Sequence, residues 1–305
     1  DELLHLFKDQ EEVSVKTYCQ IDFAASSSVK IFELLTLIGK DGRKVKVSLT
    51  TAPVSAGVQT NLGCILIIHD LTSQLQLEQM KLDFVSMASH ELKTPLASIK
   101  GYAETLLTGA MNDSAHAYSF LKVIEKNSNQ LEMLIEDILS IAKLESTRNE
   151  LLKQPTAIKM LVQEILLDYE LEANQHHIIL QNAIDDNLPL ISLDKEKIAT
   201  AIKNLIENSI RYNKPHGSVA IHGSISAEKF HLTIEDSGIG IPEKEQERIF
   251  ERFYRVDKGR SRQMGGTGLG LSIVKHVIKA HNGAIHVSSE VGKGSTFFIT
   301  IPIEK

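Results

Sequence analysis

The sequence predicts a multidomain chain with three parts. They are a small mixed α/β segment, an antiparallel helical hairpin suited to a dimeric four-helix bundle, and an α/β sandwich. Three observations predict it. A stripe recurs in alternating steps of four and three residues from Leu71 to Leu106, and the same spacing returns from Ala117 to Ala142. Beyond about residue 155, helical and strand-like segments alternate with glycine-rich stretches between them.

The first stripe is Leu71, Leu75, Glu78, Leu82, Val85, Ser89, Leu92, Leu96, Ile99, Ala103 and Leu106, apolar except at Glu78 and Ser89. Such spacing keeps one seam of a helix facing a partner helix. With Leu82 at heptad position a, His90 falls at b, Glu91 at c and Thr94 at f, so all three point away from the seam. The second stripe comprises Ala117, Leu121, Ile124, Ser128, Leu131, Ile135, Ile138 and Ala142. Between the two, Thr108-Gly109-Ala110-Met111-Asn112-Asp113 has the composition of an interhelical turn. Two helices with one stripe each still need partners, and a homodimer of hairpins supplies them as a four-helix bundle.

A length of 305 residues allows two or three domains, with boundaries expected to give 1–70, 71–150 and 151–305. Lys and Arg total 33 against 39 Asp and Glu, a net charge of −6, so neither nucleic acid nor an anionic membrane surface is an expected partner. No apolar run approaches the roughly 18 residues of a membrane span. The two cysteines, Cys19 and Cys64, make neither a disulfide framework nor a metal-ligand spacing, which suits a reducing cytosol. The chain begins at Asp1 without methionine or signal peptide and is expected to be an internal piece of something longer.

In the first segment Val45, Val47 and Leu49 alternate with polar residues after the turn Lys40-Asp41-Gly42, and Cys64-Ile65-Leu66-Ile67-Ile68 reads as a short buried strand. Together with the junction His69-Asp70-Leu71-Thr72, this resembles the C-terminal part of a PAS sensor domain feeding into a signalling helix. No cysteine or histidine cluster announces a flavin or haem, so a ligand-free dimerising cap is expected in preference to a cofactor-binding sensor.

The third part reads as a helix over about 156–175, two strands near 178–193, and a helix from Asp194 to Tyr212. Two strands over about 217–236, a helix after Gly268 and two final strands follow. That mixed order suggests helices on one face of a sheet. Asp194 is an N-cap residue type, and Ile198, Ile202, Leu205 and Ser209 mark the packed face of its helix. Asn204, Asn208 and Arg211 share another face, with Tyr212 beside them. A carboxamide oxygen there is a hard ligand for Mg²⁺, Arg211 offsets phosphate charge, and Tyr212 offers a ring to a base. Two asparagines taken alone fit an exposed polar face better than a metal site. Asp236-Ser237-Gly238-Ile239-Gly240-Ile241-Pro242 follows a strand; its carboxylate suits the amino group of adenine, and its glycines allow close backbone approach, though such turns are often purely structural. Gly265-Gly266-Thr267-Gly268-Leu269-Gly270-Leu271 opens a helix, directing free N–H groups and the positive helix end at an anion. Ile249-Phe250-Glu251-Arg252-Phe253-Tyr254-Arg255 and a basic loop holding Lys258, Arg260 and Arg262 join these blocks.

With Ser89-His90-Glu91-Leu92-Lys93-Thr94-Pro95 upstream, residues 80 to 305 resemble the catalytic core of a bacterial two-component sensor histidine kinase. The pattern is a HisKA dimerisation and phosphoacceptor domain followed by an ATP-binding domain of the gyrase, Hsp90, histidine kinase and MutL (GHKL) superfamily. The resemblance implies Asn204 and Asn208 as the N-box with Mg²⁺ on Asn208, Arg211 on phosphate and Tyr212 against adenine. It implies a first glycine box of Asp236, Gly238 and Gly240, an F box of Phe250 and Phe253, and a second glycine box of Gly266, Thr267, Gly268, Leu269 and Gly270. Arg255 would reach the γ-phosphate, under a lid from Val256 to Gly265. ATP and Mg²⁺ are the implied cofactors and a response-regulator receiver domain the implied partner. The implied setting is the cytoplasmic side of a sensor whose membrane anchor lies upstream of this chain.

ATP-hydrolysing members of that superfamily resemble one another in carrying a glutamate four residues before the magnesium asparagine. This chain has Asn204, and an amide is no general base, so the γ-phosphoryl is expected to go to a side chain. Neutral imidazole at His90 has one nitrogen to attack and one whose proton Glu91 can accept, which predicts phosphate on Nε2. Thr94, one turn on, completes a Glu-x-x-Thr arrangement that resembles the family's phosphatase motif, and Pro95 removes a helical N–H and builds in a bend. An ATP-driven conformational machine is opposed by Asn204 and by His90-Glu91. A catalytically silent scaffold is opposed by the completeness of the boxes.

Overall fold

The computed structural model describes residues 5–8, 11–13, 30–39, 42–56, 60–145, 151–256 and 266–303. It divides into two compact units, residues 1–86 and 87–305.

In the first unit, β1 (His5–Lys8), β2 (Glu11–Val13), β3 (Lys30–Ile38), β4 (Lys44–Ala56) and β5 (Thr60–Asp70) form an antiparallel sheet in the order β2-β1-β3-β4-β5. The two-residue repeat of β4 sends Val47 and Leu49 to a core with Leu35, and Leu37, Val45 and Leu66 pack around it. Residues 64–68 are a strand but not a buried run. Ile65 and Ile67 are 52% and 58% exposed, because strand alternation puts them on the sheet face opposite Leu66, which packs on the core. Among the described residues before Thr72 there is no helix, so the mixed α/β expectation finds only its strands. Lys40, Asp41 and Cys19 lie outside the described residues; Gly42 follows at φ 77°.

The Asp70-Leu71-Thr72 junction has a clear physical role. Asp70 Oδ1 accepts the N–H of Thr72 at 2.8 Å, and the hydrogen bonds from Thr72 hold its carboxyl below the ordinary value. Leu71 N–H donates to the carbonyl of Lys46 and Lys46 N–H to the Thr72 hydroxyl, at 2.8 and 3.3 Å. The first turn of helix α1 (Thr72–Leu107) is thereby capped and tied to β4.

Helix α1 continues through the buried Pro95 to Leu107. A 3₁₀ turn at Ala110–Asn112 follows Gly109 at φ 132°, and α2 runs from Ser114 to Glu145. Asp113 caps α2 by accepting the N–H groups of Ala115 and His116. The rings of Tyr102 and Phe120, 5.1 Å apart, join the two arms of the hairpin near its turn. Along the expected seam Leu96, Leu121 and Ile135 remain 56%, 55% and 45% exposed although Leu106 is buried, so one chain leaves much of this stripe uncovered. Leu134 and Ile141 are buried instead. They belong to a second stripe of α2, Leu134, Asp137, Ile141 and Leu144, and α2 packs against α5 (Gly270–Ala280).

The remainder is β6 (Lys153–Thr156), α3 (Ile158–Gln175), β7 (Ile179–Asn182), β8 (Ile191–Asp194), α4 (Lys195–Arg211), β9 (Ser218–Ser226), β10 (Lys229–Asp236), α5, β11 (Ala284–Glu290) and β12 (Gly294–Pro302). Five strands form a sheet in the order β11-β12-β10-β9-β7, in which β7 and β9 pair in parallel and the other pairs are antiparallel. β6 and β8 make a separate two-stranded ribbon, and β6 was not legible as a strand. Buried Ile165 of α3, Ile202 and Leu205 of α4, and Val274 and Val277 of α5 form one core with Ile221, Leu232 and Ile299 of the sheet.

A buried polar hub holds these layers in register. Asp194 Oδ1 caps α4 by accepting Lys197 N–H at 3.2 Å, and Oδ2 accepts Leu152 N–H at 3.1 Å and Lys197 Nζ at 2.8 Å. Burial works against ionisation of Asp194, but these bonds outweigh it and leave its carboxyl below the ordinary value. Its own N–H donates to Nε2 of His281 at 3.1 Å, whose Nδ1–H donates to the carbonyl of Val277 at 2.8 Å. Burial lowers the pKa of His281, in keeping with that neutral tautomer. No helix among the described residues is long and apolar enough to cross a membrane.

Candidate nucleotide and phosphoacceptor site

The helical repeat gives α4 two faces. Ile198, Ile202, Leu205 and Ser209 are buried, as their spacing predicts, while Asn204, Asn208, Arg211 and Tyr212 line a cavity of about 360 Å³. Asn204 donates through Nδ2 to the carbonyl of Thr200 at 2.9 Å and turns Oδ1 to Gly270, where any Cβ would collide with it. The Asn208 carboxamide makes no hydrogen bond among the described residues, so its oxygen is free for a hard cation. Arg211 pairs with Glu207 one turn earlier.

Asp236 ends β10 beside this face. Its Oδ1 accepts the N–H groups of Gly238 at 2.8 Å and Ser295 at 3.2 Å. The group is 9% exposed, and burial pushes its carboxyl up to about 6 against these bonds. Gly240, at φ 72°, lies so close to the backbone of Glu290 and Val291 that no side chain fits. Gly268, at φ 76°, is packed in the same way on the backbone of Phe253, whose N–H donates to the Gly268 carbonyl at 2.8 Å. The two glycine blocks are thus fixed by backbone-to-backbone contact. Phe250 closes a 3₁₀ turn, with Lys275 Nζ 5.8 Å from its ring centre.

The loop that opens α5 carries the densest polar contacts. Arg255 donates to the Gly266 carbonyl. Thr267 Oγ1 donates to Asp137 Oδ2 at 2.6 Å and accepts Leu269 N–H at 3.2 Å. Leu269 is fully buried at the N-cap of α5, and Gly270 begins the helix against Asn204. Lys258, Arg260, Arg262 and Gly265, expected in the basic loop and lid, lie outside the described residues.

His90 is 72% exposed, with Nδ1 3.7 Å from Glu91 Oε1. Glu91 Oε2 is in turn 3.7 Å from Nη2 of Arg255, a largely buried guanidinium. The exposed Thr94 donates its hydroxyl to the His90 carbonyl at 3.2 Å. The expected nucleotide residues other than Gly238 and the fully buried Leu269 therefore gather around one cavity, Glu91 is linked to it through Arg255, and His90 and Thr94 lie outside its lining. Met133, Glu136 and Asp137 of α2, with Lys203 and Glu207 of α4, also line it and were not anticipated. The available signal was the second stripe of α2, in which Asp137 stands between Leu134 and Ile141.

Because the folded value of Asp236 lies above the ordinary carboxylate value of 3.8, its stabilising contribution is present below that value and is lost as pH rises through about 6. Ionised Asp236 is thus a cost at neutral pH. Asp236→Asn keeps an acceptor for Gly238 and Ser295, and its stability relative to wild type should improve between pH 5 and 7.5 by about 1–3 kcal/mol. Urea unfolding across that range checks this; a pH-independent difference would contradict it.

Residues 80–147 match the model of the His Kinase A (phospho-acceptor) domain, and residues 193–305 that of the histidine kinase-, DNA gyrase B-, and HSP90-like ATPase. Sensor protein kinase WalK of Staphylococcus epidermidis is 35% identical over 273 residues, 89% of this chain and 44% of the relative. The chain therefore spans less than half the length of that relative. Histidine kinase AdeS of Acinetobacter baumannii superposes with a TM-score of 0.57 at 26% identity, over 71% of this chain and 98% of that one. ShkA, solved in complex with AMPPNP, gives a TM-score of 0.55 at 26% identity, over 75% of this chain and 46% of that one. A phosphoacceptor hairpin followed by a gyrase-like ATP-binding domain defines one family, and the chain belongs to it: the two-component sensor histidine kinases.

Proposed function

We propose that this chain transfers the γ-phosphoryl group of ATP to Nε2 of its own His90 and passes it to an aspartate in the receiver domain of a response regulator. The observation that carries this reading is Arg255, which contacts both Glu91, the neighbour of the acceptor, and Gly266 of the nucleotide loop. Adenine is held by its amino group on the second oxygen of Asp236 and by the ring of Tyr212. The phosphates face the N–H groups of the loop from Gly266 to Gly270, with Arg211 and Arg255 beside them. Asn208, whose carboxamide is otherwise unengaged, would hold Mg²⁺, which supplies charge neutralisation on the phosphates when bound. That the similar protein ShkA forms a complex with AMPPNP supports a nucleotide triphosphate as ligand.

Nδ1 of His90 faces Glu91, which leaves the Nε2 lone pair outward. That lone pair attacks the γ-phosphorus as the bond to the bridging oxygen breaks and ADP leaves; Glu91 accepts the Nδ1 proton as the ring becomes positive. The present 3.7 Å is too long for a hydrogen bond, so the pair tightens on the way to reaction. Transfer to water is disfavoured. Asn204 is an amide, and Glu207, the acid of α4 next to Asn208 among those that line the cavity, is held by Arg211.

The uncovered seam with Leu96, Leu121 and Ile135 pairs with a second copy in a four-helix bundle. Thr94 serves the opposing phosphatase reaction, in which water hydrolyses the regulator's aspartyl phosphate to aspartate and inorganic phosphate: its proton goes to the His90 carbonyl, and its oxygen accepts a hydrogen bond from the attacking water. The sheet before α1 acts as a PAS-like input, and the chain is the cytoplasmic portion of a sensor anchored through an upstream segment.

Incubation with γ-labelled ATP and Mg²⁺ should give an acid-labile protein label that is absent from His90→Ala. Glu91→Gln should slow labelling about a hundredfold without loss of nucleotide binding. Free phosphate with no labelled protein would instead favour an ATPase. Thr94→Ala should autophosphorylate normally yet lose most phosphatase activity toward its regulator; full activity would remove Thr94 from that role.

A further inference from the structure

We infer that Asp137 is a positioning residue: its carboxylate occupies a phosphate seat of the loop from Gly266 to Gly270, holds the ATP-binding domain on α2, and is displaced by nucleotide phosphate. This rests on the reading of that loop as the phosphate site.

Three observations support it. First, the Thr267 hydroxyl has one proton, and it is directed at Asp137 at 2.6 Å while its oxygen takes the N–H of Leu269. A phosphate oxygen that uses this donor must take it from the carboxylate, a chemically equivalent acceptor. Second, Asp137 and Glu136 line the same cavity as Asn208 and Arg211, so a triphosphate entering it meets these two acids of α2 in addition to Glu207 and Asp236. Burial foremost, with Glu207 and Glu136 nearby, raises the carboxyl of Asp137 despite the bond from Thr267 and the attraction of Arg211. The group is held in a place that further negative charge makes worse. Third, the other links between these elements make no use of the phosphate seat. His276 Nε2 bonds the carbonyl of Leu144 at 3.0 Å, and Leu134 and Ile141 are buried where α2 packs on α5.

The consequence is a coupling between substrate and domain position. With Asp137 on Thr267, His90 lies outside the cavity lining and is largely exposed. Phosphate binding at Thr267 releases the loop from α2, and the nucleotide it carries becomes free to approach Nε2.

The test is displacement of a fluorescent ATP analogue from the full chain by AMPPNP and by adenosine. Wild type is compared with Asp137→Asn, which keeps an acceptor but not the charge, with Asp137→Ala, and with Glu136→Gln, an acid of the same cavity that makes no bond to Thr267. Thermal unfolding checks that each is folded. AMPPNP should bind roughly fivefold or more tightly to both Asp137 variants, with adenosine unchanged and Glu136→Gln within about twofold of wild type. Unchanged or weaker AMPPNP binding in folded Asp137 variants overturns the proposal, as does an equal gain for adenosine or an equal gain in Glu136→Gln. If AMPPNP fails to displace the analogue from wild type, the phosphate-loop reading falls and takes this proposal with it.

Discussion

The nucleotide half of the molecule depends on the buried hydrogen bonds of Asp194. A helix advances about 100° per residue, so whatever fixes its first turn fixes the direction of every later side chain. Asp194 fixes the first turn of α4 by its cap on Lys197, and the bonds from Leu152 and to His281 fix Asp194 itself against β6, β8 and the end of α5. A slip of one residue in one direction would turn Asn208 into the buried position of Ser209, and a slip in the other would bring Ser209 to the cavity position of Asn208. Each buried polar atom in this hub has a partner, which is the condition under which a low dielectric strengthens such a network instead of penalising it. Apolar packing of Ile198, Ile202 and Leu205 supplies the cohesion, and the hub supplies the register.

Contacts between the ATP-binding domain and the hairpin divide by chemistry. Leu134 and Ile141 give α2 a buried apolar stripe, while the contacts nearest the cavity are polar: Thr267 with Asp137, and Arg255 with Glu91. Phosphate can compete for both kinds of polar partner, since it bonds hydroxyls and guanidinium groups as carboxylates do. A kinase that must bring one domain to a histidine on another gains from this division. The apolar stripe keeps the domains associated, and charge exchange at the rim changes what the loop holds.

Much of this was legible in the chain because it is local. Steps of three and four residues located both arms of the hairpin, Asp194 read as a cap, and the offsets of Asn204, Asn208 and Arg211 placed them on one face. Gly240 read as a place where the backbone could approach a ligand and Gly268 as part of an anion-facing loop; both are packed on the chain's own backbone, at Glu290 and Val291 and at Phe253, a contact with no local signal. Other features had no local signal. β6 is four residues long with Pro155 inside it and exists through pairing with β8. The apolar run of residues 64–68 looked buried, yet only one face of the sheet packs on the core, and alternation leaves Ile65 and Ile67 on the other, more than half exposed. Thr267 and Asp137 are 130 residues apart, and although each stands in a recognisable local pattern, nothing local pairs one with the other.

The central claim is the acceptor atom. It is tested most directly by phosphorylating ¹⁵N-histidine-labelled chain with Mg-ATP and recording phosphorus–nitrogen couplings, with the modified residue mapped by mass spectrometry under alkaline conditions. A single phosphoramidate at Nε2 of His90 is the predicted result. Phosphate on Nδ1, on another residue, or released to water with no adduct would contradict it.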